Sequence, residues 1–146
     1  MANRQRGRDQ ETVFDRLGEL PPVPNMIGCN LTELNPNENQ ISLSFEEIPE
    51  FLNPAGTLHG EFISAMLDEC TGSAIVGLSD AAFVPSTISI TTDFLASVAT
   101  GTVRGTGTIT SKGKSIAFLE SVLTDEAAPS WYRNDAGVNP ISTAAG

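Results

Sequence analysis

The residues best suited to chemistry lie close together in the chain, between Asn53 and Asp68. This stretch brings together an amide, the only histidine of the chain, His59, and a carboxylate embedded in an apolar segment, where an acid is costly unless it has partners. If a helix begins near Gly60, the N–H of that residue has no partner within the helix, and the positive end of the helix dipole points the same way. Such a donor can stabilise an oxyanion, and a nearby carboxylate can act as a general base or a nucleophile.

Each of these residues also has a structural interpretation. Gly60 could serve only to permit a turn, Asn53 could cap that turn instead of orienting water, and Asp68 could cap a neighbouring loop. A lone histidine at a helix start, such as His59, is more often structural than in contact with substrate. Glu69 points about 100° away from Asp68 around a helix, so we expect it to be solvated or paired.

The elements that must position these residues follow an α+β order. Periodicity predicts a short helix over 11–18, strands over 26–34 and 41–48, one long helix over 58–78, and strands over 87–94, 102–110 and 115–124. One antiparallel sheet then wraps one long central helix in a domain spanning 24–125, preceded by a lead and short helix at 1–23. Pro129 and Pro140 interrupt 126–146, which lacks periodicity, so we expect an irregular C-terminal tail that does not complete the sheet.

Composition limits the partners. The 146-residue chain has a net charge of −10, which opposes binding to nucleic acid and to anionic membranes. No apolar run approaches the roughly 18 residues that a membrane span needs, and no apolar stretch follows the N-terminal arginines, so we expect a cytoplasmic protein. Cys29 and Cys70 belong to no metal-binding spacing. With a single histidine, this predicts buried thiols in a reducing compartment, no metal site and no cofactor.

The pattern resembles the hotdog fold and, within it, the acyl-CoA thioesterases of the PaaI type associated with phenylacetate degradation. The similarity covers about 53–125, and its most specific element is Asn53-x-x-Gly56-x-x-His59-Gly60 followed by Asp68. Supporting elements are Ser86, Asp93-Phe94-Leu95 followed by Gly101, and the segment Gly113-Lys114-Ser115-Ile116-Ala117-Phe118. Two departures are Glu61, where the family usually has a second glycine, and the segment after 125, where the family has a turn and a further strand.

The resemblance implies hydrolysis of a small or medium acyl-CoA, aryl-acyl groups included, to the free acid and CoA. It implies that Asp68 is the catalytic carboxylate, that Asn53 and the Gly60 N–H address the thioester, and that Ser86 helps to hold the nucleophilic water. His59 is a further candidate, and Glu61 adds charge at the entrance.

An acidic protein that binds CoA must supply local positive charge for the phosphates. Lys112 and Lys114 flank a predicted turn at Gly113, and Arg104 lies on the preceding strand. The three could form one CoA-binding patch, or they could be ordinary solvated side chains.

The spacing of Gly60 and Asp68 predicts an oligomer. Eight positions along one helix correspond to roughly 12 Å, whereas both groups must lie near one carbonyl group. Two antiparallel copies of the helix would bring the start of one beside the middle of the other. We therefore expect a homodimer with shared sites, and a dimer of dimers, or homotetramer, is compatible with it.

Two alternative functions stay open. A hotdog hydratase or dehydratase acting on enoyl thioesters would carry a histidine directly after Asn-Pro, whereas Ala55 follows Asn53 and Pro54 here. A non-catalytic acyl-CoA-binding hotdog module would need no helix acid, so Asp68 opposes it, while Glu61 and the unusual C-terminal segment leave it open.

Overall fold

The computed structural model describes residues 11–46, 48–98, 101–125 and 134–144. Its helices are α1 (Val13–Leu17), α2 (Pro22–Met26) and α3 (Gly60–Leu78). Its strands are β1 (Cys29–Asn35), β2 (Gln40–Glu46), β3 (Val84–Thr87), β4 (Thr102–Lys112), β5 (Ile116–Asp125) and β6 (Asn134–Ala144). The strands form one sheet in the order β1-β2-β4-β5-β6-β3, in which every neighbouring pair is antiparallel.

Helix α3 packs on one face of this sheet and forms the core with it. Its buried positions recur at three- and four-residue spacing, as the sequence predicts for a helix with one wide apolar face. The strands supply alternating residues that are buried between the sheet and the helix, among them Ile41, Leu43 and Phe45 of β2. The α+β hotdog arrangement, an antiparallel sheet around one long helix, is thereby confirmed.

Two glycines of β4 determine how deeply α3 sits on the sheet. A methyl group placed on Gly107 would lie 2.2 Å from the carbonyl oxygen of Cys70, and one placed on Gly105 would lie 2.5 Å from Cys70 Sγ. Only a residue without Cβ lets the helix backbone approach so closely. Because Asp68 lies half a turn before Cys70, this contact also sets the height of Asp68 above the sheet.

Strand β6 corrects the expected irregular tail. Within β6, residues between 134 and 142 pair with β5 and residues 141–144 pair with β3, and Pro140 lies opposite Phe118. Pro140 has a ladder partner only in β5, so its missing N–H removes at most one donor from one side of β6. The expectation of an irregular tail was wrong because β3 and β5, which pair with β6, are distant from it in sequence. The rest of the expected tail, 126–133 and 145–146, lies outside the described residues, as does the lead over 1–10.

The strand predicted over 87–94 is also wrong in its bounds, since β3 ends at Thr87. Among the described residues, the backbone of 88–97 forms no hydrogen bond. The ladder between β3 and β6 ends at the pair Thr87–Ile141, one position before Pro140, which has no N–H to donate. Helix α2 occupies 22–26, so β1 begins at Cys29 rather than near 26.

None of the described helices is long and apolar enough to cross a membrane.

Candidate functional site

Helix α3 begins at Gly60, as the sequence predicts. His59 is its N-cap residue and forms no capping hydrogen bond through its side chain, while the His59 N–H donates to Phe51 O at 2.8 Å. Among the described residues, none accepts a hydrogen bond from the Gly60 N–H. This donor is therefore available at the positive end of the helix dipole.

Asp68 lies two turns further along α3 and has a partner from another element. Its half-buried carboxylate accepts a 2.8 Å hydrogen bond from Thr87 Oγ1 through Oδ1, while Thr71 Oγ1 donates to the Asp68 backbone carbonyl at 2.8 Å. No described residue donates a hydrogen bond to Asp68 Oδ2. One oxygen of the carboxylate is thus held in place, and the other can receive a proton or a water molecule.

The residue beside the carboxylate is Thr87 rather than Ser86. Thr87 contacts α3, and so does Pro85, whose Cγ lies 3.8 Å from a methyl group placed on Gly72. Side chains alternate along a strand, so Ser86, which pairs with Ser142 of β6, faces away from the helix. Ser86 and Thr87 are adjacent hydroxyl residues in the sequence, and only the orientation of β3 in the fold decides which of them faces α3.

Glu69 is paired, in line with one of the two expectations for it. It accepts a 2.8 Å hydrogen bond from Ser73 Oγ. Burial raises the pKa of Glu69, the Ser73 hydrogen bond lowers it in part, and the nearby Asp68 charge raises it further.

The two cysteine thiols are buried. Burial, with a smaller effect from Glu69, raises the pKa of Cys29 to about 12, and burial also raises the pKa of Cys70. Both thiols are therefore protonated and poorly nucleophilic at neutral pH.

Asn53 caps the loop that precedes α3. Its Oδ1 accepts hydrogen bonds from the N–H of Ala55 at 3.0 Å and of Thr57 at 3.1 Å, and its Nδ2 donates to Thr57 Oγ1 at 2.8 Å. Gly56, with a φ of 78°, allows the tight turn between them. Asn53 thus caps its own loop, and among the described residues only one hydrogen of its amide is donated.

His59 and Glu61 lie together at the open end of α3. His59 Nδ1 is 3.7 Å from Glu61 Oε2, and the two side chains are 47% and 84% exposed. An ion pair this exposed contributes little to stability. Both groups are therefore available to an incoming ligand.

Arg104 and the two lysines do not form one patch. Arg104 and Lys112 lie eight positions apart on β4, which separates them by roughly 27 Å in an extended strand. Lys112 Nζ lies 4.3 Å above the centre of the Phe83 ring, a cation–π contact, and exposed Lys114 follows on the turn into β5. The single three-residue patch is wrong for this reason, and only Lys112 and Lys114 are neighbours.

Cavities lie near both ends of α3 in the described part of the chain. A groove of about 250 Å³ lies at the C-terminal end of the helix, between Leu78, Ile109 and Lys112. A residual cavity of about 10 Å³ lies near the N-terminal end, behind Phe94. In the described ranges, no three His, Cys, Asp or Glu side chains lie close enough together to hold a metal ion.

Comparison with known proteins agrees with this architecture. Solved structures that superpose on the chain include a phenylacetic acid degradation-related protein from Ralstonia eutropha JMP134, with a TM-score of 0.78, 20% identity, and coverage of 90% of this chain and 99% of that one. The Escherichia coli PaaI protein from the phenylacetic acid degradation operon superposes with a TM-score of 0.73, 14% identity, and 90% coverage of both chains.

A hypothetical thioesterase with coenzyme A from Streptococcus pneumoniae TIGR4 superposes with a TM-score of 0.69, 11% identity, and coverage of 80% of this chain and 86% of that one. At these identities the likeness establishes the fold. No curated protein sequence matches the chain. Residues 55–129, which include Gly60, Asp68 and Thr87, match the family model of the thioesterase superfamily, and the chain belongs to that superfamily.

Proposed function

We propose that this protein is an acyl-CoA thioesterase that hydrolyses a small or medium acyl-CoA, aryl-acyl groups included, to the free acid and CoA. The observation that carries the proposal is the Asp68 carboxylate of α3, which Thr87 of β3 holds by a hydrogen bond. The first N–H of the same helix, at Gly60, has no acceptor among the described residues. Membership of the thioesterase superfamily supports it. The solved structure with coenzyme A and the two phenylacetic acid degradation proteins favour CoA and an aryl-acyl group as parts of the substrate.

The proposed reaction uses both groups. The Gly60 N–H and the helix dipole stabilise the negative charge that develops on the thioester oxygen. Asp68 takes a proton from the attacking water, a C–O bond forms and the C–S bond breaks. The CoA thiolate leaves and takes up a proton, and Thr87 keeps the carboxylate oriented throughout. Direct attack by Asp68, followed by hydrolysis of the resulting anhydride, uses the same two residues.

A second copy of the chain is part of the proposal. Gly60 and Asp68 are separated by roughly 12 Å along α3, so one site takes the N–H from one protomer and the carboxylate from the other. The surface that fits such a partner is the open edge of β3 and the segment after it. Val84 and Ile88 are 68% and 57% exposed there, and the described backbone of 88–97 has no hydrogen-bond partner. A dimer of dimers remains compatible with this arrangement.

The remaining contacts to CoA follow from charge. Lys112 and Lys114 are the candidate phosphate contacts, since they are neighbours and exposed, and His59 and Glu61 flank the entrance to the site. We also propose a cytoplasmic location, where the free thiols of Cys29 and Cys70 would stay reduced.

A non-catalytic acyl-CoA-binding module is the second candidate. It is favoured by the side chain of Asn53, whose oxygen and nitrogen both form hydrogen bonds within its own loop. Such a module would bind acyl-CoA without releasing CoA. The partnered carboxylate of Asp68 favours the enzyme.

The test is to incubate the purified protein with acetyl-, butyryl-, octanoyl- and phenylacetyl-CoA and to measure released CoA with a thiol reagent. We expect turnover that disappears in Asp68→Asn and persists in Glu69→Gln, the matched change at the neighbouring acid, whose amide oxygen can still accept from Ser73. Binding of all four thioesters without release of CoA would favour the module instead.

A further inference from the structure

Phe94 lies directly against the start of α3. A methyl group placed on Gly60 would lie 3.3 Å from Phe94 Cε1 and 3.5 Å from Cζ, so the edge of the ring touches the backbone of the residue that offers the free N–H. The ring is nevertheless 56% exposed. An aromatic side chain therefore forms one wall of the place where the thioester carbonyl would be held.

Behind this ring, an apolar slot runs between α3 and the segment 93–98. Ile63 and Leu67 line it from the helix, Leu123 lines it from β5, and Val98 lines it from the segment itself. All four side chains are at most 9% exposed. The space left within the slot is about 10 Å³, room for one water molecule at most. The slot has a mainly apolar lining, as an acyl chain needs, and the exposed residues Asp93, Phe94 and Leu95 line its solvent side.

Among the described residues, hydrogen bonds hold the segment that carries Phe94 at its two ends. Thr87 is bound to Asp68 at one end, and Val98 O accepts a 2.9 Å hydrogen bond from the Leu58 N–H at the other. Between them, the described backbone of 88–97 forms no hydrogen bond. A smaller side chain at position 94 can therefore leave the slot open without breaking a backbone ladder.

We propose that Phe94 determines acyl-chain length, and that its ring restricts the enzyme to short acyl groups by lying across the solvent side of the slot that a longer chain would enter. This inference rests on the proposed thioesterase function and narrows its substrate class. Burial of each further methylene in an opened slot would raise kcat/KM by roughly fourfold.

The test compares the wild type with Phe94→Ala, Phe94→Leu and Phe118→Ala on acetyl-, butyryl-, hexanoyl- and octanoyl-CoA. Phe118 is the matched control, because it is 44% exposed and alternates with buried Ala117 and Leu119, which places it on the sheet face away from α3. We expect Phe94→Ala to raise the octanoyl-to-butyryl ratio of kcat/KM by about tenfold or more, and Phe94→Leu to raise it less. Phe118→Ala should keep the wild-type ratio.

Unchanged ratios in a Phe94→Ala protein that turns over butyryl-CoA would overturn the inference while leaving the thioesterase function intact. If no variant hydrolyses any thioester, the proposed function fails, and calorimetric binding of S-butyl-CoA and S-octyl-CoA thioethers decides the inference on its own. A gain for the octyl compound in Phe94→Ala alone supports it, whereas equal affinities or no binding overturn it. Thermal unfolding tests whether each variant is folded. If Phe94→Ala does not fold, Phe94→Leu is compared with the wild type in its place.

Discussion

Thr87 Oγ1 lies 2.8 Å from Asp68 Oδ1, and this hydrogen bond ties the middle of α3 to the edge strand β3. The two residues are 19 positions apart in the chain. Strand β3 is itself held by β6, in a register that pairs Thr87 with Ile141. The orientation of the carboxylate therefore depends on the backbone pairing of the C-terminal strand.

Replacing Asp68 by asparagine should lower kcat by about 10²–10⁴-fold, because the amide keeps the shape but can neither accept a proton nor attack the thioester. Steady-state kinetics with the best acyl-CoA of the panel measure the loss. Near-wild-type turnover in Asp68→Asn would refute the assignment of this residue.

Replacing Thr87 by valine should lower kcat by about tenfold, since the carboxylate loses the donor that orients it and a hydrogen bond to a charged group contributes about 1.5–3 kcal/mol. Thr87→Ser should retain most of the activity because the hydroxyl remains. Ser86→Ala is the control, because Ser86 faces away from α3. A larger loss in Ser86→Ala than in Thr87→Val would show that the neighbouring hydroxyl is the one in use.

Replacing Gly107 by alanine should destabilise the fold by about 3 kcal/mol or prevent folding, since the new methyl group would lie 2.2 Å from the Cys70 carbonyl oxygen. Gly72→Ala is the matched control. There the methyl group would lie 3.8 Å from Pro85 Cγ, an ordinary contact, and alanine is the better helix former. Urea unfolding of both variants gives the comparison, and equal stabilities would contradict the close approach of α3 to β4.

The KM for CoA thioesters should rise with ionic strength, because exposed phosphate contacts are screened over a Debye length of about 8 Å at physiological salt. Replacing Lys112 and Lys114 together by glutamine should raise KM and weaken its salt dependence. Arg104→Gln should do neither, since Arg104 lies near the other end of β4. An effect of Arg104→Gln equal to that of the lysine changes would contradict this placement of the phosphates.

Shared sites can be tested by complementation. Gly60→Pro removes the N–H donor while keeping a backbone conformation suited to the first helical position, and Asp68→Asn removes the carboxylate. Each homodimer should be inactive, but unfolding and reassembling the two together should restore about one quarter of wild-type activity. Random reassortment makes about half of the dimers mixed, and half the sites of each mixed dimer are intact.

Native mass spectrometry identifies the mixed dimers in this experiment. If they form and remain inactive, each site is contained in one chain, and the argument for a dimer from the spacing of Gly60 and Asp68 is lost.

The features that the sequence by itself determined are local ones. The start of α3 at Gly60 and the position of Asp68 two turns later follow from a three- and four-residue apolar spacing, which the hydrogen bonds of the helix impose within the segment itself. The alternating strands β2, β4 and β5 could be predicted for the same reason, since one face of each is buried.

The tertiary structure decided everything that depends on which face or partner an element meets. It placed Thr87 rather than Ser86 beside Asp68, because the facing of β3 is set by its pairing with β6. It formed β6 in a segment without alternation, because two distant neighbours supply the pairing. It also brought Phe94 against Gly60 across more than thirty positions, a contact that no local periodicity encodes, because side-chain packing is settled only when the whole sheet closes on the helix.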